Sequence, residues 1–190
     1  MISEAPSPRV RLLDFFSVKD VFALRNVIIM GLMAALTAVL SRFTIYISPT
    51  QKFMDIAYLP GAVIAMLYGP WAALGFGFVS DTVGYFANPQ GVYFFGYAVS
   101  KMVSLFIYAC FFYKQRVTLG RAIAARALVL VIVVFGLNFV WQSIMMGQLS
   151  AAYFTSTRLV LNAVQFPFHV ALILLLGKPA ERIKTVIQKD

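Results

Sequence analysis

The stretch RLVLNAVQFPFHVALILLLG, residues 158–177, decides the architecture. Its polar residues Arg158, Asn162, Gln165 and His169 are spaced four, three and four, which puts them on one face of a helix. At ~1.5 Å per residue the stretch is long enough to cross a ~30 Å hydrocarbon core. Polar groups at that depth are costly and usually face a bundle interior or a cavity, so the stripe reads as one wall of a binding site.

Composition places the whole chain in the same setting. Of 190 residues, 61% are hydrophobic and only 12% charged, and the mean hydropathy is +0.84, outside the soluble globular range. The expected fold is therefore an all-α integral membrane protein, a compact bundle of six transmembrane helices. The apolar runs are much longer than ~10 residues and do not alternate strictly, which argues against a transmembrane barrel. Charged and Pro/Gly punctuation gives spans at 27–47, 56–68, 70–87, 91–113, 122–146 and 158–177. Gly69-Pro70 predicts a tight hairpin between the second and third spans, Asn88-Pro89-Gln90-Gly91 the next turn, and 147–157 a longer link. Residues 1–26 mix apolar side chains with Arg9, Arg11, Asp14, Lys19 and Asp20, as an interfacial amphipathic segment does, and lack a cleavable signal site. Residues 27–177 then form the substrate-binding domain and 178–190 a basic tail. Cys110, the single cysteine, is read as a packing residue.

Lys and Arg in short loops favour the cytoplasmic side. Arg9, Arg11, Lys19 and Arg25 precede the first span; Lys114, Arg116, Arg121 and Arg126 lie between the fourth and fifth; Lys178, Arg182, Lys184 and Lys189 follow the sixth. With six spans all three clusters share one side, so both termini are expected to be cytoplasmic in a multi-pass bacterial plasma membrane protein. The net charge of +9 then reflects topology and lipid headgroups rather than a nucleic-acid partner. Arg42, Lys52, Lys101 and Arg158 remain for the outer face or the interior. Lys101 is read either as structural, paired with Asp81 or reaching backbone carbonyls, or as facing an anionic ligand.

Other helices carry polar stripes toward the same outer half: Asp81, Tyr85 and Asn88; Tyr93, Tyr97 and Lys101; Asn138 and Gln142. One stripe alone would be helix glue; four converging at one depth predict a shared pocket. Tyr46, Tyr58, Trp71 and Tyr153 fit an interfacial aromatic belt. His169, the only histidine, has no Cys or His partner, so no metal is expected and it reads as a polar cavity residue. In the first span Gly31, Ala34, Ala35 and Ala38 form a small-residue surface that another helix could approach closely. There is no Walker phosphate loop, no repeat symmetry of a self-contained carrier and no constellation for catalysis in the membrane, so neither an enzyme nor a cofactor is predicted. Energy coupling must come from other subunits.

The ordered set Leu40-Ser41-Arg42-Phe43, Tyr58-Leu59-Pro60, Ala65-Met66-Leu67-Tyr68-Gly69-Pro70, Asp81 with Gly84, Asn88-Pro89-Gln90-Gly91-Val92-Tyr93-Phe94 and Leu137-Asn138 with Trp141 resembles the substrate-binding S components of energy-coupling factor (ECF) vitamin transporters, folate-type group. Ala34-x-x-x-Ala38 is similar to that family's contact with its coupling subunit. The resemblance implies a non-catalytic six-helix protein that captures a vitamin outside, topples in the membrane, and works with a transmembrane T component and two ATPase subunits. The expected substrate site is Arg42, Tyr93, Tyr97, Lys101, Asn138, Trp141, Gln142, Arg158, Asn162 and Gln165. Folate-type members commonly read Pro-Thr-Gly-x-Tyr-Phe-Pro-Gly-Phe-Thr, where this chain has Pro89 to Ala98 as PQGVYFFGYA. They commonly read Leu-Asn-Thr-Leu-Trp-Leu, where this chain has Leu137-Asn138-Phe139-Val140-Trp141-Gln142. These changes make pantothenate, with one carboxylate and several hydroxyl and amide groups, the expected substrate. Folate, with two carboxylates and a flat pterin, is the alternative, and a structural subunit without a ligand is the second.

Overall fold

The computed structural model describes residues 23–48, 51–54, 56–89, 92–146 and 156–187. Residues 1–22 of the expected interfacial segment, and 147–155 of the link, lie outside the described residues. Helix α1 (Leu24–Ser41) leads into a two-stranded antiparallel hairpin, β1 (Ile45–Ser48) and β2 (Gln51–Met54). Then follow α2 (Leu59–Tyr68), α3 (Pro70–Ala87) and α4 (Phe95–Phe112). The fifth span is α5 (Leu119–Val129), a π-helical segment (Leu130–Leu137) and α6 (Asn138–Met146); α7 (Ser156–Ile187) is the sixth.

The expectation of a wholly helical chain fails at one place. The first helix stops at Ser41 rather than 47, and Ile45-Tyr46-Ile47 enters a strand. β-Branched and aromatic residues next to Pro49 favour that outcome, since proline cannot continue a helix and disfavours helical backbone just before it. The strands pair Ile45 with Met54, Tyr46 with Lys52 and Ser48 with Gln51, and β2 packs against α7.

Among the described residues four helices are long and apolar enough to cross a membrane: Leu24–Ser41, Phe95–Phe112, Leu119–Met145 and Leu159–Ala180. Of the other two, α2 is the most enclosed helix of the bundle. Helix α2 has only 10 residues, ~15 Å, half of a hydrocarbon core. It buries Ala62, Ile64, Ala65 and Met66 against α1, α3, α4 and α7. A short helix is tolerable there because protein, not lipid, surrounds it. Helix α3 is continuous, but Ser80-Asp81-Thr82 breaks its apolar run, and it packs most extensively on α4. Outside, Ile28, Leu32, Val39, Val131, Ile144, Val160 and Leu175 are exposed, the apolar belt a bilayer would cover.

Gly69, with φ +85°, makes the predicted turn between α2 and α3, a conformation L-residues rarely adopt. The charge clusters need one revision. Arg126, expected in a loop, lies within α5 and is 8% exposed beside Tyr108, while Arg121 donates to Gln115 Oε1 at 2.9 Å. Helix α7 runs on to Ile187, through most of the segment read as a basic tail.

The π-helical segment changes which residues of the fifth span face inward. Ala122, Ala125, Val129 and Val133 are buried at steps of three, four and four. Beyond it Leu137 still packs against the core, and Asn138, five residues after Val133, reaches Ser100 on α4; its backbone N–H bonds the Val133 carbonyl five residues back. A π-turn adds that extra residue.

The α3–α4 contact rests on Gly77. A Cβ there would lie 2.7 Å from the Met102 Cα and 3.0 Å from its backbone nitrogen. Gly77→Val should therefore cost about 1–3 kcal/mol as a lowered melting temperature in detergent. Gly75→Ala, which meets nothing within 4 Å, should leave that temperature equal or higher.

Candidate functional site

The C-terminal half of α3 and the N-terminal ends of α4 and α6 assemble an aromatic wall. Phe94, just before α4, lies 5.9 Å from the Tyr97 ring and 5.9 Å from Trp141 on α6. Tyr93 sits 5.0 Å from Tyr85 on α3, edge to face, and its hydroxyl is 3.3 Å from Thr82 Oγ1. Gly96 makes the wall possible: a methyl there would collide with Phe94 and stand 2.7 Å from Trp141 Cδ2.

Behind these rings runs a chain of hydrogen bonds. Trp141 Nε1 donates to Ser100 Oγ at 3.1 Å, and Ser100 Oγ donates to Asn138 Oδ1 at 2.7 Å. Ser100 is 4% exposed, so α4 and α6 are joined through a polar contact inside an apolar bundle, where an unpaired polar group is costly. The next residue on α4, Lys101, donates from Nζ to the Ser80 carbonyl at 3.3 Å. That contact realises the backbone-carbonyl reading of Lys101, and it ties α4 to α3 on the same side as the aromatic rings.

The sequence-predicted residues divide accordingly. Tyr93, Tyr97, Lys101, Asn138 and Trp141 come together through these contacts, with Gln142 half-buried one residue beyond Trp141. Arg42 is exposed just past α1, beside the point where Asn88 Nδ2 donates to the Ser41 carbonyl at 2.9 Å. Asn162 and Gln165 are half-buried on α7. The side chains of Arg158 and Lys52 lie outside the described residues.

His169 is not part of that group. It is 4% exposed, its Nδ1 faces the Gln165 carbonyl at 2.8 Å, and its ring is 4.9 Å from Tyr58. Tyr58 hydroxyl donates to the His169 carbonyl at 3.4 Å, so Tyr58 ties the start of α2 to α7. Among the described residues no cluster of His, Cys, Asp or Glu could hold a metal ion.

Sequence reasoning missed Ser100, Phe94, Thr82 and Ser80. Ser100 continues the Tyr93–Tyr97 face by three residues and could have been found there; a serine among apolar residues reads as a small packing residue. Of the small-residue surface on α1, Gly31 and Ala35 are exposed, while Ala34 is 7% exposed in the core and Ala38 partly covered. The four residues thus occupy two faces, and only the Gly31/Ala35 one is open.

Comparison with known proteins bears on this arrangement. Residues 21–180 match the family described as ECF-type riboflavin transporter, S component. The folate transporter FolT of Clostridium novyi (strain NT) is 33% identical over 160 residues, 84% of this chain and 92% of the relative. FolT of Leuconostoc mesenteroides subsp. mesenteroides is 28% identical over 153 residues, 78% of this chain and 82% of the relative. The crystal structure of FolT bound with folic acid is similar with a TM-score of 0.75 and 31% identity, over 83% of this chain and 94% of that one. Both relatives are named for folate and that structure holds folic acid; none of them is named for pantothenate, the substrate expected above.

Gly96→Ala tests the wall directly. The added methyl should displace the Trp141 indole, shift tryptophan emission in the ligand-free protein, and lower thermal stability by about 1–3 kcal/mol.

Proposed function

We propose that this chain, which belongs to the family of ECF-type transporter S components, captures folate at the outer half of its bundle and delivers it inward with a separate ATP-driven coupling module. The observation that carries the substrate is its likeness to FolT bound with folic acid over 83% of the chain. Folate therefore replaces pantothenate as the substrate proposed. The site chemistry supports the same choice. Tyr85, Tyr93, Phe94, Tyr97 and Trp141 supply ring faces and edges that suit a flat pterin. Lys101 within α4 and Arg42 at the outer end of α1 supply cations for two carboxylates, through charge-assisted hydrogen bonds.

The description of the matching family names riboflavin, and the relatives favour folate over it: the two named for folate match most of their length.

In this reading the chain is a non-catalytic binding subunit with both termini cytoplasmic. Its partners are a transmembrane T component and two ATPase subunits, and the open Gly31/Ala35 face of α1 is the contact with the T component. A Cβ at Gly31 meets nothing within 4 Å, so a partner helix could come close there.

Calorimetric titration of the purified, detergent-solubilised protein with folate, pantothenate and riboflavin tests the substrate. The expected result is saturable 1:1 binding of folate alone; preference for another vitamin overturns the folate assignment, and no binding to any favours the structural-subunit alternative. Lys101→Met should weaken folate at least about 10-fold, the scale of one charged hydrogen bond. Ala35→Leu should keep folate affinity within about 2-fold yet abolish uptake in cells carrying the coupling module, because the bulk falls on the docking face alone.

A further inference from the structure

Ser100 sits between two residues of the site and touches both. The Trp141 indole N–H can only donate, and it is spent on Ser100 Oγ at 3.1 Å. The Ser100 hydroxyl hydrogen is left for its other neighbour, Asn138 Oδ1, at 2.7 Å. That separation is the usual O–H···O length and shorter than the ~2.9–3.0 Å of an amide N–H bond, so the hydroxyl donates and the amide oxygen accepts. The order of donors, from Trp141 to Ser100 to Asn138, has a definite direction.

The direction decides what Asn138 can offer. An asparagine amide has one acceptor oxygen and two N–H donors. With Oδ1 bonded to Ser100, the Nδ2 amide is what remains, and among the described residues no acceptor meets it. Asn138 itself is half-buried. Without Ser100 the amide could turn over and present either end; with it, one end is committed to the protein.

We propose that Ser100 is a positioning residue that locks the Asn138 amide with its oxygen toward the protein and its N–H donors toward the ligand, so that this wall selects a hydrogen-bond acceptor such as a carboxylate or a ring carbonyl. The inference rests on the vitamin-binding reading of the site above. It adds that specificity at Asn138 is set from α4, by a side chain that need not touch the ligand. The π-helical segment contributes by bringing Asn138, five residues after Val133, to the side of the fifth span that faces Ser100.

Two readouts test it in the full-length protein carrying Trp71→Phe, which leaves Trp141 as the single tryptophan of the chain's two. Without ligand, Ser100→Ala should shift Trp141 emission, because the indole loses its acceptor, whereas Ser104→Ala should leave it unchanged. With folate, Ser100→Ala should weaken binding about 5- to 20-fold when Asn138 is present and less than about 2-fold when Asn138 is already Ala, as a residue acting only through another must. Asn138→Asp, which offers acceptors only, should bind folate more weakly than Asn138→Ala. Equal losses from Ser100→Ala in both backgrounds, or Asn138→Asp binding as well as the parent, would overturn the proposal. If the parent ignores folate but binds another vitamin, the folate reading fails and the same cycle on that vitamin decides the role of Ser100. If it binds none, both fall.

Discussion

Hydrocarbon offers no hydrogen bonds, so a polar group of a chain this apolar is costly unless the chain itself answers it. The consequences run through the whole molecule. Hydroxyls on the helices bond back to carbonyls of the preceding turn, as Thr37 does to Met33, Thr82 to Phe78 and Ser143 to Phe139. The polar residues that cannot be answered locally bridge elements: Lys101 to Ser80, Asn88 to Ser41, Tyr58 to His169 and Ser100 to Asn138. These bridges join the ends of α1 and α3, the start of α2 to α7, and α4 to both α3 and α6. A short central helix follows from the same constraint. Helix α2 can stop halfway across because its ends meet other helices and not lipid.

Much of this was readable in the chain. Helices α3, α4 and α7 begin within four residues of expectation, because Gly69-Pro70, the Asn88–Gly91 turn and Arg158 mark real discontinuities of backbone or charge. What could not be read was where an apolar run ceases to be helical. Residues 45–47 satisfy hydropathy as helix or strand alike; their β-branched and aromatic side chains near Pro49 lean toward strand, and their pairing with 51–54, a tertiary fact, fixes it. The π-helical segment was hidden for a related reason. Hydropathy is uniform over Leu130–Leu137, and the step of five from Val133 to Asn138 becomes visible only when Val133 is known to be buried.

The site was legible in the same partial way. Spacing brought Tyr93, Tyr97 and Lys101 to one face and Asn138 to another, and the structure joins those faces. Spacing could not distinguish a side chain of the proposed site from one that braces the bundle. His169 shared the stripe of Asn162 and Gln165, yet in the fold it braces α7 against Tyr58, because a helix stripe followed for eleven residues passes from half-buried positions into the core. The small residues of α1 show the converse: one i, i+4 pair, Gly31 and Ala35, is open, while Ala34 turns into the core. An alanine in a membrane helix has no chemistry by which the sequence alone could assign it to either side.

Lys101 shows why bracing and binding need not be alternatives. A carbonyl contact alone is the signature of a structural lysine, and at 3.3 Å it is modest. But an ammonium carries three donors, and a flexible four-carbon stem in a membrane would otherwise let the charge wander toward the interface. The Ser80 carbonyl holds the head in place within the bundle, against α3 and close to Gly84, whose missing side chain leaves the approach open. A fixed cation loses less freedom when an anion arrives, so in the proposed site the tether would lower the entropy lost on binding a carboxylate. Asn138 obeys the same logic through Ser100. In both cases a bond to the protein fixes a side chain of the proposed site, and that site is made rigid by the bonds that keep the bundle together.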